Sequence, residues 1–177
     1  MIWLAYYLHA FNASPRPRRT VVRVKLVPAK SDEVRRHLEL IDVVGMGFEL
    51  PPQARSAFTA DFVAPVAMNV AMVSSHQHHF GTRVTIRPVV GGVEQDAVYE
   101  NRRWSEPPLR WLDPPVRLAA GDRLRVHCEW HNRSDETLRF GPSATDEMCN
   151  LNGYFFRDVE VPPEARTGVG GELIPVE

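Results

Sequence analysis

Arg123-Leu124-Arg125-Val126-His127-Cys128-Glu129-Trp130-His131 alternates apolar and polar side chains without a break. Period two is the signature of a strand with one face in a core and one face outward. Gly121-Asp122 just before it is a turn. Outward from this strand the same grammar recurs. Val84 to Val90, Gly91-Gly92 and Val93 to Tyr99 read as a hairpin, because paired glycines supply the positive φ of a tight primed turn. Phe58 to Phe62 and Val66 to Val73 are further strands, and Gly153 to Val161 closes the pattern. Leu38 to Leu50 is apolar and is stopped by Pro51-Pro52. Near the N-terminus, Met1 to Phe11 reads as a strand, Ser14 to Arg19 as a solvated loop, and Val22, Val24 and Leu26 as the inner face of another strand. Ser31 to His37 has room for one helical turn, and residues 101–115, with four prolines and two tryptophans, read as a long packed loop.

Composition agrees with that grammar. The 177 residues suit one domain, and 44% hydrophobic with 24% charged residues is ordinary globular balance. Fifteen prolines against eleven glycines disfavour long helices. A net charge of −1 supplies no field to recruit nucleic acid, and no apolar run is long enough for a membrane span. Short strands with turns between them predict an all-β fold, an antiparallel jelly-roll β-sandwich of a single domain over residues 1–161. Residues 162–177, with Gly168, Gly170 and Gly171, are expected to form a loose tail.

The chemistry concentrates at two places. Ser74-Ser75-His76-Gln77-His78-His79 follows the apolar run Met68 to Val73. Side chains two apart on a strand share a face, so His76 and His78 are expected to project together while Gln77 and His79 point away. Two imidazoles on one rigid face make half of a transition-metal site; a surface turn rich in histidine accounts for the same residues. The second place is Thr145-Asp146-Glu147-Met148-Cys149-Asn150. Cys149 lies 21 positions after Cys128, and a bridge between them would contribute about 3 kcal/mol through chain entropy and pin Met148 beside it. Two unrelated buried thiols are the other reading. A thioether is a soft neutral ligand, so two imidazoles with Met148 suit Cu(I) far better than Zn²⁺ or Mg²⁺. Zinc would look instead to His127, His131, Asp146 or Glu147.

These residues resemble a known family. His76-Gln77-His78-His79-Phe80-Gly81 and Ser143-Ala144-Thr145-Asp146-Glu147-Met148-Cys149-Asn150-Leu151 are similar to two motifs of the copper type II, ascorbate-dependent monooxygenases. That family includes peptidylglycine α-hydroxylating monooxygenase and dopamine β-monooxygenase, and the likeness is to its C-terminal catalytic-copper domain alone. Phe48-Glu49-Leu50-Pro51-Pro52 and the stretch from Pro115-Val116 through Gly121-Asp122 to Cys128 match in order, and the resemblance covers roughly residues 3 to 156. It implies a jelly-roll sandwich, one catalytic copper held by His76, His78 and Met148, and a disulfide between Cys128 and Cys149. It also implies O₂ activation for hydroxylation of a substrate C–H bond, with ascorbate or another reductant as electron donor.

Departures from the family carry their own expectations. The family enzymes have two copper domains, and this chain has the length of one; a second copper domain or a redox partner is the implied source of an electron. His9 resembles one electron-transfer ligand and is expected to be a histidine on an edge strand. Asn150 matches a substrate-binding asparagine, but Ser74 stands where the peptide-amidating members carry a carboxylate-binding arginine, and Asn152 where they carry a tyrosine. Peptidylglycine is therefore not the expected substrate; Arg83 and Arg139 are the remaining guanidinium candidates, at positions that the sequence leaves open. The substrate class is a small molecule or peptide.

Three functions compete: a copper hydroxylase fed by an external donor, a non-catalytic module for copper storage, delivery or ligand binding, and a sandwich without metal. Copper and a disulfide suit a periplasmic or extracellular setting, although no signal peptide is visible in the chain. Asn12-Ala13-Ser14 and Asn132-Arg133-Ser134 match the glycosylation pattern.

Overall fold

The computed structural model describes residues 14–28, 30, 32–34, 36–159, 162, 165–166 and 168–176. The expected strand Met1 to Phe11, His9 and Asn12-Ala13 lie outside those residues. Contacts divide the chain into two units, residues 1–35 and 36–177. In the first unit, residues 15–28 are exposed and form no strand. The alternation over Val22, Val24 and Leu26 was expected to bury one face, yet these side chains are 43%, 51% and 65% exposed. A strand needs a neighbouring ladder as well as a pattern, and this segment has none among the described residues. The expected helical turn after Lys30 is a single hydrogen-bonded turn, Glu33 N–H to Lys30 O at 3.0 Å.

The second unit is a β-sandwich, antiparallel except where its twelfth strand runs parallel to its first, with no α-helix among the described residues. Its strands are β1 (Glu39–Val44), β2 (Glu49–Leu50), β3 (Ala54–Val63), β4 (Met68–His76), β5 (Gly81–Val90), β6 (Val93–Glu94), β7 (Tyr99–Asn101), β8 (Arg110–Leu118), β9 (Arg123–Asn132), β10 (Leu138–Arg139), β11 (Asn150–Phe156), β12 (Val169–Glu172) and β13 (Ile174–Pro175). One sheet runs β12-β1-β11-β4-β8, the other β13-β3-β9-β5-β6 with β7 also on β5, and β10 pairs β2 separately.

β9 keeps the alternation expected of it, with Leu124, Val126 and Cys128 fully buried and Trp130 nearly so. Ile41 of β1, Val70 and Val73 of β4, and Leu151 and Phe155 of β11 join them in the core. The Gly91-Gly92 turn has φ of 57° and 82°, as a primed hairpin requires. The return strand is shorter than expected, splitting into β6 and β7.

Two expectations fail for identifiable reasons. Residues 110–118, of which 110–115 were expected in a loop, form β8. Prolines are tolerated there because β8 is the edge of its sheet, and Pro114-Pro115 fall between the paired positions Trp111 and Val116, where the register shifts. The tail expected to be loose carries β12 on β1 and β13 on β3, with Leu173 fully buried between them. Its glycines permit close approach: a Cβ on Gly168, whose φ is +67°, would stand 2.8 Å from the Leu40 carbonyl.

No helix among the described residues is long and apolar enough to cross a membrane.

Candidate metal centre

β4 delivers His76 as its last residue, and the chain then turns, with Gly81 N–H donating to His78 O at 3.0 Å. His78 therefore sits in the turn and not on the strand, as the period-two expectation had it. The two imidazoles still meet, their centroids 5.1 Å apart and their planes at 81°. Gln77, expected to point away, is 3% exposed and donates to Glu129 O at 3.1 Å, while His79 is exposed and lies against Phe80. Gly81 is required where it stands, since a Cβ would meet the Gln77 side chain at 2.6 Å. His131 N–H donates to Phe80 O at 2.9 Å, so the turn is stitched to β9 at both ends.

The Met148 loop arrives from the other side. Glu147 N–H donates to Arg139 O at 3.0 Å and Asp146 N–H to Ser143 O at 3.0 Å, which folds the loop on itself. Cys149 is bonded to Cys128 of β9, both fully buried. The bridge chooses between the two readings of the cysteines, and no free cysteine remains. Gly45 N–H donates to Cys149 O at 2.7 Å and adds a third tether. Met148 is thus held at its neighbour, half-buried, with its sulfur 3.6 Å from the Asn150 amide nitrogen. Asn150 in turn is the cross-strand partner of His76. Expected as a substrate contact, Asn150 is 8% exposed and turns its N–H to the thioether.

Two contacts join the halves. His78 Nδ1 lies 2.8 Å from the Asp146 carbonyl. A carbonyl only accepts, so Nδ1 carries the proton and Nε2 keeps its lone pair. Glu147 is fully buried; its Oε2 accepts from His78 N–H at 3.0 Å, Trp130 Nε1–H at 3.0 Å and Met148 N–H at 3.4 Å, and its Oε1 from Phe80 N–H at 2.8 Å.

The donors fit a soft cation. Two imidazoles bound to one ion through metal–nitrogen bonds of about 2 Å place their centroids about 5 Å apart, and a fixed tautomer presents one nitrogen for the purpose. The zinc candidates do not assemble, for no three His, Cys, Asp or Glu converge among the described residues. His127 Nδ1 is taken by Thr59 Oγ1 at 2.7 Å, the Asp146 carboxylate accepts from Ser143 N–H at 3.0 Å, and both Glu147 oxygens are occupied.

The guanidinium candidates are committed elsewhere. Arg83 pairs with Glu100 and Glu129, each at 3.2 Å, and the Glu100 bond holds its pKa above the ordinary value. Arg139 pairs with Glu49 at 2.7 Å. Asn132 of the second glycosylation tripeptide is fully buried, donating to Leu50 O and Pro51 O at 3.0 Å, so it is closed to modification. The sequence alone did not disclose the clamp by Glu147, which it offered only as one of four candidates for a rival zinc site. An acidic residue directly before Met-Cys in a stretch bound for the core was the available signal.

The sequence model of a family described as copper type II ascorbate-dependent monooxygenase, C-terminal domain, matches residues 41–164. No curated protein matches the chain. Among solved structures, a chain titled "Structure of infectious bursal disease virus Gx strain" is similar at 10% identity and a TM-score of 0.24, over 81% of this chain and 40% of that one. At that score the likeness carries no argument.

Proposed function

The chain belongs to the copper type II ascorbate-dependent monooxygenases through the C-terminal domain of that family, and on that footing we propose that it is a mononuclear copper protein of hydroxylase type. His76, His78 and Met148 hold the ion, and a C–H bond of a small-molecule or peptide substrate is hydroxylated. Bound copper supplies one-electron redox chemistry and O₂ activation. The jelly-roll strand order belongs to the same proposal.

The observation that carries it is the meeting of the two imidazoles at 5.1 Å, with Asn150, the cross-strand partner of His76, in contact with the Met148 sulfur at 3.6 Å. His78 is aligned by donating to Asp146 O, so it offers Nε2 without rotating. Met148 offers a neutral sulfur that favours the reduced ion. Neither residue brings charge, so the site's electrostatics are left to its surroundings. Ser74, 4% exposed on β4, gives no cation for a substrate carboxylate, which argues for a substrate other than peptidylglycine. Inserting one oxygen atom of O₂ takes two electrons from outside the substrate and two protons from solvent, and releases the second atom as water. One copper ion holds one of them, so ascorbate, another reductant or a second copper domain supplies the other. The disulfide suits a periplasmic or extracellular compartment.

X-ray absorption of the Cu(I)-loaded protein tests the ligand set. A sulfur scatterer present in the wild type and in Cys128→Ser but lost in Met148→Ile supports it; no sulfur scatterer in the wild type overturns it. Turnover is tested with copper, ascorbate and a broad substrate panel. Peroxide without hydroxylated product, together with Cu(I) transfer to an acceptor, supports the storage or delivery reading.

A further inference from the structure

We propose that Glu147 is a positioning residue that fixes how far the Met148 sulfur reaches toward His78; this rests on the copper reading above. Its carboxylate has no exposure, yet among the described residues no cationic side chain is bonded to it. All four of its bonds come from N–H groups, two on the histidine turn, one on the Trp130 indole of β9 and one on Met148 itself. A buried carboxylate is costly unless its oxygens are saturated, and here the saturating donors belong to the two segments that carry the nitrogen and sulfur ligands. His78 and Met148 each give their backbone N–H to the same oxygen, Oε2, at 3.0 and 3.4 Å. The two ligand backbones are therefore referenced to one atom, and that atom is referenced to the sheet by Trp130 at 3.0 Å. Cys149 anchors the loop on the far side of Met148. With both neighbours held, the thioether keeps only its own side-chain torsions to search.

Glu147→Gln tests this. The amide oxygen takes over the donors to Oε2, and the NH₂ group is set against Phe80 N–H, donor against donor. The expected result is Cu(I) affinity at least about tenfold lower by competition with a chromophoric Cu(I) chelator, the range set by loss of an orienting partner. X-ray absorption should show the sulfur scatterer weakened while the nitrogen shell persists. The near-UV circular dichroism and thermal midpoint of the metal-free variant should stay close to the wild type, which separates repositioning from unfolding. Glu147→Gln that binds Cu(I) with wild-type affinity and an undiminished sulfur scatterer overturns the proposal while leaving the copper reading intact. A wild type without a sulfur scatterer overturns both. Hydrogen exchange in the metal-free wild type adds a check that needs no variant. His78 and Phe80 amides should be as protected as those of β9; exchange at loop rates overturns the clamp.

Discussion

Asn150 stands directly opposite His76 across β4 and β11, and its amide nitrogen lies 3.6 Å from the Met148 sulfur. One residue thus links the strand that ends in an imidazole to the arm that carries the thioether. An N–H to sulfur contact is weak, of the order of 0.5–1 kcal/mol. Asn150→Ala should accordingly lower Cu(I) affinity by about two- to fivefold and keep the sulfur scatterer. A loss of two orders of magnitude in the chelator competition would instead give Asn150 the weight of a ligand.

The Cys128–Cys149 bridge closes a separation of 21 residues between a core strand and the Met148 loop. Cys128→Ser with Cys149→Ser should cost about 3 kcal/mol from chain entropy, and more because two hydroxyls enter a fully buried place. Denaturant unfolding measures the cost. Copper affinity should fall in the double variant, but by less than in Met148→Ile, because the released loop still carries the sulfur.

Gly45 is packed where no side chain fits. A Cβ there would lie 2.9 Å from both Cys149 O and Phe58 Cε1. Gly45→Ala should destabilise by about 1–3 kcal/mol, the cost of overpacking, and move Cys149. A thermal midpoint equal to the wild type would show that the loop yields freely.

Asp122 accepts from Gly91 N–H at 2.9 Å and Ala119 N–H at 2.8 Å, and these bonds, Gly91 first, hold its pKa below the ordinary 3.8. A carboxyl depressed on folding stabilises above its unfolded pKa, and the stabilisation fades as pH falls through the folded value. The midpoint difference between wild type and Asp122→Ala should be constant at neutral pH and shrink once pH drops below about 4. A difference that persists unchanged to pH 2 would contradict the assignment.

How much of this was legible in the residues depended on whether local pattern was enough. The alternation of Leu124, Val126, Cys128 and Trp130 was enough, because β9 lies centrally in its sheet with a partner on each side. The same alternation at Val22, Val24 and Leu26 was not, for no ladder meets it among the described residues. Pro114-Pro115 concealed an edge strand, since proline marks loops and edges alike. Gly168, Gly170 and Gly171 read as looseness, and the fold uses glycine there to bring backbone against β1. At the proposed site, the donors His76, His78 and Met148 could be named from the sequence because imidazole and thioether are donors by residue type. Glu147 was visible only as an acid, because its role depends on N–H groups that come together in three dimensions from residues 78, 80, 130 and 148.

Cys128 and Cys149 have no accessible surface, while Met148, the next residue, is partly open to solvent. Thiol–disulfide exchange needs a thiolate to touch a sulfur of the bridge. A thiolate in solution therefore meets the methionine arm without touching the staple that braces it, so the loop stays laced to the sheet for as long as the fold is closed.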